Sequence, residues 1–233
     1  MARTSLISFA LLCLFAVASV SPLEVKTGGV IAGWGSNAQG DDYRDGIEDV
    51  DNLPGLSAEN ETHLGWAVGL SLEFVFNQRS AIGTAVKLAD RTIGVEVTDG
   101  TQTQTISDNI RAFDFPLHLK RSVFLNEQTS IHGFIGAQFT YAFGYIQVEE
   151  EIENGTSQTD TWTYEPDNRL LYGPTLGFGI GTDIGLHELQ IDLLYFGSLN
   201  SAVDDYTNPV TGEVGDGPTV HNIGLSIAFM TPL

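Results

Sequence analysis

The side chains that could do acid–base or ionic chemistry in this 233-residue chain share one placement. Glu73, Asp114 and Asp192, with Lys87, Arg91 and Lys120, fall on the polar parity of stretches whose other parity is apolar, and His118 and Gln138 fall beside them. Successive residues of a strand point to opposite faces, so a strand reading gathers all of these onto one face. Three acids against three bases make a neutral set. Buried charges persist only when paired and hydrogen-bonded, so the set reads as a structural polar plug. A proton or ion pathway is the sharper alternative.

Nucleophilic chemistry needs a base within hydrogen-bond reach of a hydroxyl. The five histidines, His63, His118, His132, His187 and His221, are read as standing apart from any such serine, so no enzymatic activity and no cofactor are expected. Hard cations want several oxygen ligands. Asp41, Asp42, Asp45, Glu48, Asp49 and Asp51 crowd one stretch, and Glu149, Glu150, Glu151 and Glu153 another, so extracellular cations are candidate partners. The spacing fits an EF-hand poorly, with Tyr43 at the third position and Asn52 at the twelfth, and a solvated anionic surface is the plainer reading.

The elements that must carry these residues alternate strictly. Ile131, Ile135, Phe139, Tyr141, Phe143 and Tyr145 share one parity, against His132, Gln138 and Thr140 on the other. The division recurs with Trp66, Val68, Leu70, Leu72, Phe74 and Phe76. It recurs again with Phe113, Phe115, Leu117 and Leu119, in 172–184, in 189–195 and in 223–229. Two weaker segments, 25–37 and 81–95, bring the number to eight. Such segments run about 11 to 15 residues, enough for a strand to cross a bilayer. Long acidic connections (38–62, 96–109, 149–169, 203–218) alternate with short turns near 77–80, 125–129 and 185–188, the pattern of a transmembrane barrel. The expected fold is therefore all-β, an eight-stranded antiparallel up-and-down transmembrane β-barrel. Trp34, Trp66, Tyr145, Tyr172 and Tyr195 are read as an aromatic girdle at the long-connection end.

Arg3, the apolar run Leu6 to Val17 and the small residues Ala18, Ser19 and Ser21 form a secretory signal, placing a signal peptide at 1–21 and the barrel domain at 22–233. Cys13, the only cysteine, lies inside that signal, so the exported chain has no disulfide or thiolate site. The net charge of −20 excludes nucleic acid as a partner. Export and a spanning barrel together predict the outer membrane of a Gram-negative bacterium, with its lipid and the barrel-assembly machinery as partners. The predicted role is non-enzymatic, structural or surface-interacting. A narrow porin-like channel for small solutes is the alternative, and a lipid-modifying enzyme a weaker third.

The run Phe113-Asp114-Phe115-Pro116-Leu117-His118-Leu119-Lys120, followed by a turn and Gly133-Phe134-Ile135-Gly136, resembles the outer-membrane β-barrel domain family, the PorT-like small barrels. Its members carry an "(I/F)P-hydrophobic-K" strand before a strand rich in glycine and aromatics. The opening Lys26-Thr27-Gly28-Gly29-Val30-Ile31-Ala32-Gly33 and the closing Gly224-Leu225-Ser226-Ile227-Ala228-Phe229 are similar too. The resemblance spans nearly the whole exported chain and implies an eight-stranded barrel with no defined activity. Such chains commonly finish on an aromatic residue, whereas Met230-Thr231-Pro232-Leu233 follow Phe229 here.

Overall fold

A strand leaves its backbone donors and acceptors unpaired along both edges, and this chain satisfies them by closing a ring. The computed structural model describes residues 24–153, 156–164, 168–201, 205–207 and 214–233; the expected signal segment lies outside them. The elements are β1 (Glu24–Gln39), α1 (Asp41–Asp51), β2 (Ser57–Glu61), β3 (His63–Asn77), β4 (Ser80–Thr98), β5 (Gln102–Phe124) and β6 (Thr129–Glu153). They continue with β7 (Thr156–Tyr164), β8 (Leu170–Ile184), β9 (His187–Gly197), β10 (Asp205–Thr207), β11 (Val214–Asp216) and β12 (Thr219–Pro232). Eight of them, β1, β3, β4, β5, β6, β8, β9 and β12, pair antiparallel in that order, and β1 pairs with β12 to close the barrel. Closure removes every edge from the ring.

Short turns join β3 to β4, β5 to β6 and β8 to β9, and local chemistry explains each. Asn77 Oδ1 accepts the Arg79 N–H at 2.9 Å. Asn126 Oδ1 accepts those of Gln128 and Thr129 at 2.8 and 2.7 Å. Gly185 holds φ at 70°, a conformation costly for any residue with a Cβ. The outward parity of the ring is apolar and bare: Leu70 is 70% exposed, Ile135 66% and Phe178 64%. Inside that wall the inward parity, largely small or polar with a few large apolar side chains, fills the lumen.

All four stretches expected as long acidic connections hold regular structure among the described residues. Residues 41–51 form α1, with Tyr43, Ile47 and Val50 turned toward the barrel mouth. Residues 96–109 belong to β4 and β5, which run on as a hairpin with a tip at Asp99 to Thr101. The described part of 149–169 continues β6 and adds β7 beside it. Together β2, β4, β5, β6 and β7 raise a five-stranded antiparallel sheet beyond the ring. One face of this sheet is largely polar and the other mixes Val95, Val97 and Ile106 with polar residues, so it lacks the full apolar contrast that marks the ring strands. In 203–218, β10 and β11 pair as a short hairpin.

Candidate functional site

The lumen gathers the polar residues in layers, each held by strands that differ in sequence by tens of residues. Arg91 on β4, Asp114 on β5 and Thr140 on β6 stand on three consecutive strands and bond in series. The Arg91 guanidinium donates to Asp114 Oδ2, and the Thr140 hydroxyl donates to Asp114 Oδ1 at 2.7 Å. Asp114 is fully buried and Arg91 1% exposed. The guanidinium also lies between two rings, its Cζ 5.0 Å from the centre of Trp34 and 5.7 Å from that of Phe196. A cation against aromatic faces in a dry site gains from their quadrupoles. Its Nε and Nη1 have no hydrogen-bond partner among the described residues.

Nearer the short turns, Lys120 donates to Glu73 Oε2, and Gln190 Nε2 reaches the same oxygen from β9 at 3.5 Å. His132 Nε2 meets Asp192 Oδ1 at 2.6 Å, and Ser226 donates to Asp192 Oδ2 at 3.4 Å. The His132–Asp192 pair spans β8, which lies between their strands. Gly179 of β8 makes that possible, because a Cβ there would collide with the Asp192 carboxylate. A fourth ion pair, Lys26 with Glu188 at 2.8 Å, sits at the edge of the short-turn mouth.

Lys87 departs from the pairing expected of it. It is buried, with no hydrogen bond or ion pair among the described residues, and its charge is met only at longer range by Asp114 and Asp192. It faces a cavity of about 60 Å³ that His118, Gln138 and Asp192 also line. A polar cavity of that size has room for ordered water, which would bridge the ammonium to its acids. His118 is half-buried and lies against the Phe134 ring, with 4.8 Å between ring centres.

Two members of the expected girdle point the other way. Trp34 is 4% exposed and faces the lumen, sharing its parity with Val30, Ala32 and Ser36. Gly65 and Gly224 lie in register on either side of it, and a Cβ at either would meet the indole side chain. Tyr145 is also buried, because a bulge in β6 sets Arg111 opposite Gly144 and Ala112 opposite Ala142, which reverses the parity beyond it. Trp66 and Tyr172 are exposed on the outward face, and Tyr195 shares that face with its hydroxyl 2.7 Å from His221 Nδ1.

Tyr145 joins Ala38, Tyr43, Ile93, Ile110, Ala142, Leu171 and Val220 in an apolar cluster that closes the lumen under α1. Just below it, the Ser36 hydroxyl donates to Asn222 Oδ1 at 2.7 Å. The barrel is therefore sealed at the α1 end and open as a cup at the short-turn end. His132 corrects the expectation that each histidine stands apart from serine: Ser130 lies two residues away on the same inward face, and Ser122 lies opposite. No bond joins either hydroxyl to the imidazole, whose Nδ1 has no partner among the described residues. Among the described residues no three acidic or histidine side chains are grouped to hold a metal.

Sequence reasoning missed His132, Thr140, Lys26 and Glu188. Inward parity was available for each, but parity alone does not give partners: Thr140 bonds across to the preceding strand, while His132, Lys26 and Glu188 reach strands that are not their ring neighbours.

No family model matches the chain, and no curated protein matches it. Among solved structures it is similar to Ail, the attachment invasion locus protein of Yersinia pestis, at 11% identity, with 89% of this chain and 99% of that one covered and a TM-score of 0.40. It is similar to the outer membrane protein OprG of Pseudomonas aeruginosa at 12% identity, 88% and 95% coverage and a TM-score of 0.41. The outer membrane protease OmpT of Escherichia coli gives 8% identity, 91% and 96% coverage and 0.40. At such values the fold rests on the closed strand ring itself.

Proposed function

We propose that this protein is a non-enzymatic barrel of the outer membrane, sealed to solutes, that acts through the sheet and helix it raises above the lipid. The observation that carries the reading is the outward wall. Ile31, Leu70, Val86, Leu119, Ile135, Phe178 and Ile223 stand bare on every side of the ring. A soluble monomer rarely exposes a contiguous apolar patch beyond a few hundred Å². Hydrocarbon is the solvent that suits such a wall, and a closed barrel is one of the two structures able to span it. No helix of the described residues is long and apolar enough to cross, so spanning falls to the strands.

The lumen supports a structural role. The layer around Leu171 and Tyr145 is apolar and buried, and below it Arg91 is paired with Asp114 and Lys120 with Glu73. The raised sheet supports an interaction role. On its outward side Thr98, Thr103, Thr105, Ser107, Thr159, Thr161 and Thr163 offer hydroxyl rows, with Glu96 and Glu150 among them. Outer-membrane lipid and the assembly machinery would be its partners during biogenesis. The test is expression in a Gram-negative host, membrane fractionation, and electrophoresis with and without boiling. Recovery with the outer membrane and a heat-dependent mobility are expected; a soluble periplasmic product would refute the proposal.

A further inference from the structure

The cup at the short-turn end is a built cavity of about 390 Å³, within the range of small-ligand sites. Its floor is the Lys120–Glu73 pair and its side wall the Lys26–Glu188 pair, so four of its charges cancel locally. The side chains of Glu24 and Asp183, on strands well apart around the rim, have no hydrogen-bond or ion-pair partner among the described residues, and Glu24 has the charge of Lys26 nearby. The cup is thus left with two negative charges in excess. Deeper in, the Ser130 side chain lines the cavity, is about nine-tenths buried, and has no hydrogen-bond partner among the described residues. Met230, which is 1% exposed, and Leu186 supply apolar wall.

We infer that this cup binds a small organic cation, an alkyl amine whose ammonium lies between Glu24 and Asp183. Its carbon chain lies along Met230 and Leu186, and its far polar end reaches Ser130. The two ion pairs keep a carboxylate guest out, since every cation lining the cup is already engaged by an acid. A neutral guest forgoes the attraction of the rim. A bare metal ion has no use for the apolar wall. The site opens on the side of the short turns, so under the topology proposed above its ligand comes from the periplasm, although the binding itself does not depend on that reading.

The chain has 2 methionines, Met1 and Met230, and this makes the cup directly observable. The full barrel, labelled with ¹³C-methyl methionine and placed in phosphatidylcholine nanodiscs, is titrated with 1,4-diaminobutane and, separately, with 1,4-butanediol and succinate. A saturable shift of the Met230 methyl with the diamine alone is expected. Glu24→Gln combined with Asp183→Asn should weaken it about tenfold, equivalent to ~1.4 kcal/mol. Ser130→Ala should weaken it less and leave the charge preference intact. An unchanged Met230 resonance in the free variants shows that the barrel is still folded. No saturable shift, an equal response to the diol or to succinate, or diamine binding untouched by the double variant would each overturn the inference. Loss of outer-membrane location in the fractionation test would leave these readings intact, so the two proposals fail separately.

Discussion

Asp114→Ala removes the acceptor that organises the most deeply buried cation of the lumen. Asp114 is fully buried, and its two oxygens take hydrogen bonds from Arg91 and Thr140. Without it, Arg91 keeps its charge, because a guanidinium does not deprotonate in a protein. Two of its nitrogens already lack partners and the third would join them, leaving only the Trp34 and Phe196 faces. Breaking a buried pair on one side costs about 3 to 5 kcal/mol. With a urea slope of about 2 kcal/mol per molar, the unfolding midpoint should fall by roughly 2 M. Asp45→Ala on α1 is the control. Its contact with Arg44 is 3.5 Å long, with both side chains more than 60% exposed, and such pairs contribute at most about 1 kcal/mol.

Two companion variants follow from the same physics. Replacing both partners, Arg91→Met with Asp114→Leu, removes the stranded charge and should recover much of the loss. Lys87→Met discards an ammonium that has no direct partner, so its midpoint should equal or exceed that of the parent. The assay is urea unfolding of the reconstituted barrel followed by tryptophan emission. Equal midpoints for Asp114→Ala and Asp45→Ala would refute the dry plug and show that water reaches Arg91.

Three further outcomes are expected. A cysteine placed at Thr101, at the tip of the β4–β5 hairpin, should label on intact cells with an impermeant maleimide, and one at Gln78 should not; the reverse pattern would invert the topology. In planar bilayers the barrel should show no steady conductance, since the cluster around Leu171 closes it; a large, stable current would replace the sealed-barrel reading with a channel. Asp99 accepts the backbone N–H groups of Thr101 and Gln102 at 2.8 and 2.7 Å, which holds its carboxyl below the usual carboxylate range. A depressed carboxylate pKa stabilises the fold above the unfolded value and loses that contribution as pH falls through the folded one. The hairpin tip should therefore stay ordered at neutral pH and loosen in acid below about pH 4, as ¹³C shifts of the Asp99 carboxyl and the Thr101 amide would report.

The ring strands were readable because each has one face in apolar surroundings and one in the lumen. That contrast writes period two directly into Ile131 to Phe143 and into Trp66 to Phe76. Where the contrast fades, so did the reading. Residues 102–109 and 156–164 are strands with water on both faces, and nothing in their alternation distinguishes them from a polar loop. The helix left a trace: Tyr43, Ile47 and Val50 recur at helical spacing, but the acids between them suggested a cation loop instead. Trp34 and Tyr145 went astray for separate reasons. In β1 both parities hold small residues, so neither marks the lumen, and in β6 a bulge at Phe143 and Gly144 breaks a count that is correct up to that point.

Charge membership of the lumen was legible from parity, but partnership was not, and the difference is geometric. Neighbouring strands set Arg91 and Asp114 beside each other, whereas His132–Asp192 and Lys120–Glu73 each skip a strand. A skipped strand must offer a residue without bulk, and β8 offers Gly179 where a Cβ would strike Asp192. Gly179 is therefore part of the ionic design. Each glycine weakens its own strand, since it has no side chain to pack and costs backbone entropy. Here the vacated space admits a charge-assisted bond between strands that are not neighbours, and such bonds are among the strongest a side chain makes. Ties of this kind run across the barrel and resist its flattening, which the backbone ladder between adjacent strands does not do. Lys87 marks the limit of the arrangement: among the described residues no acid reaches it directly, and a cavity of about 60 Å³ lies beside it.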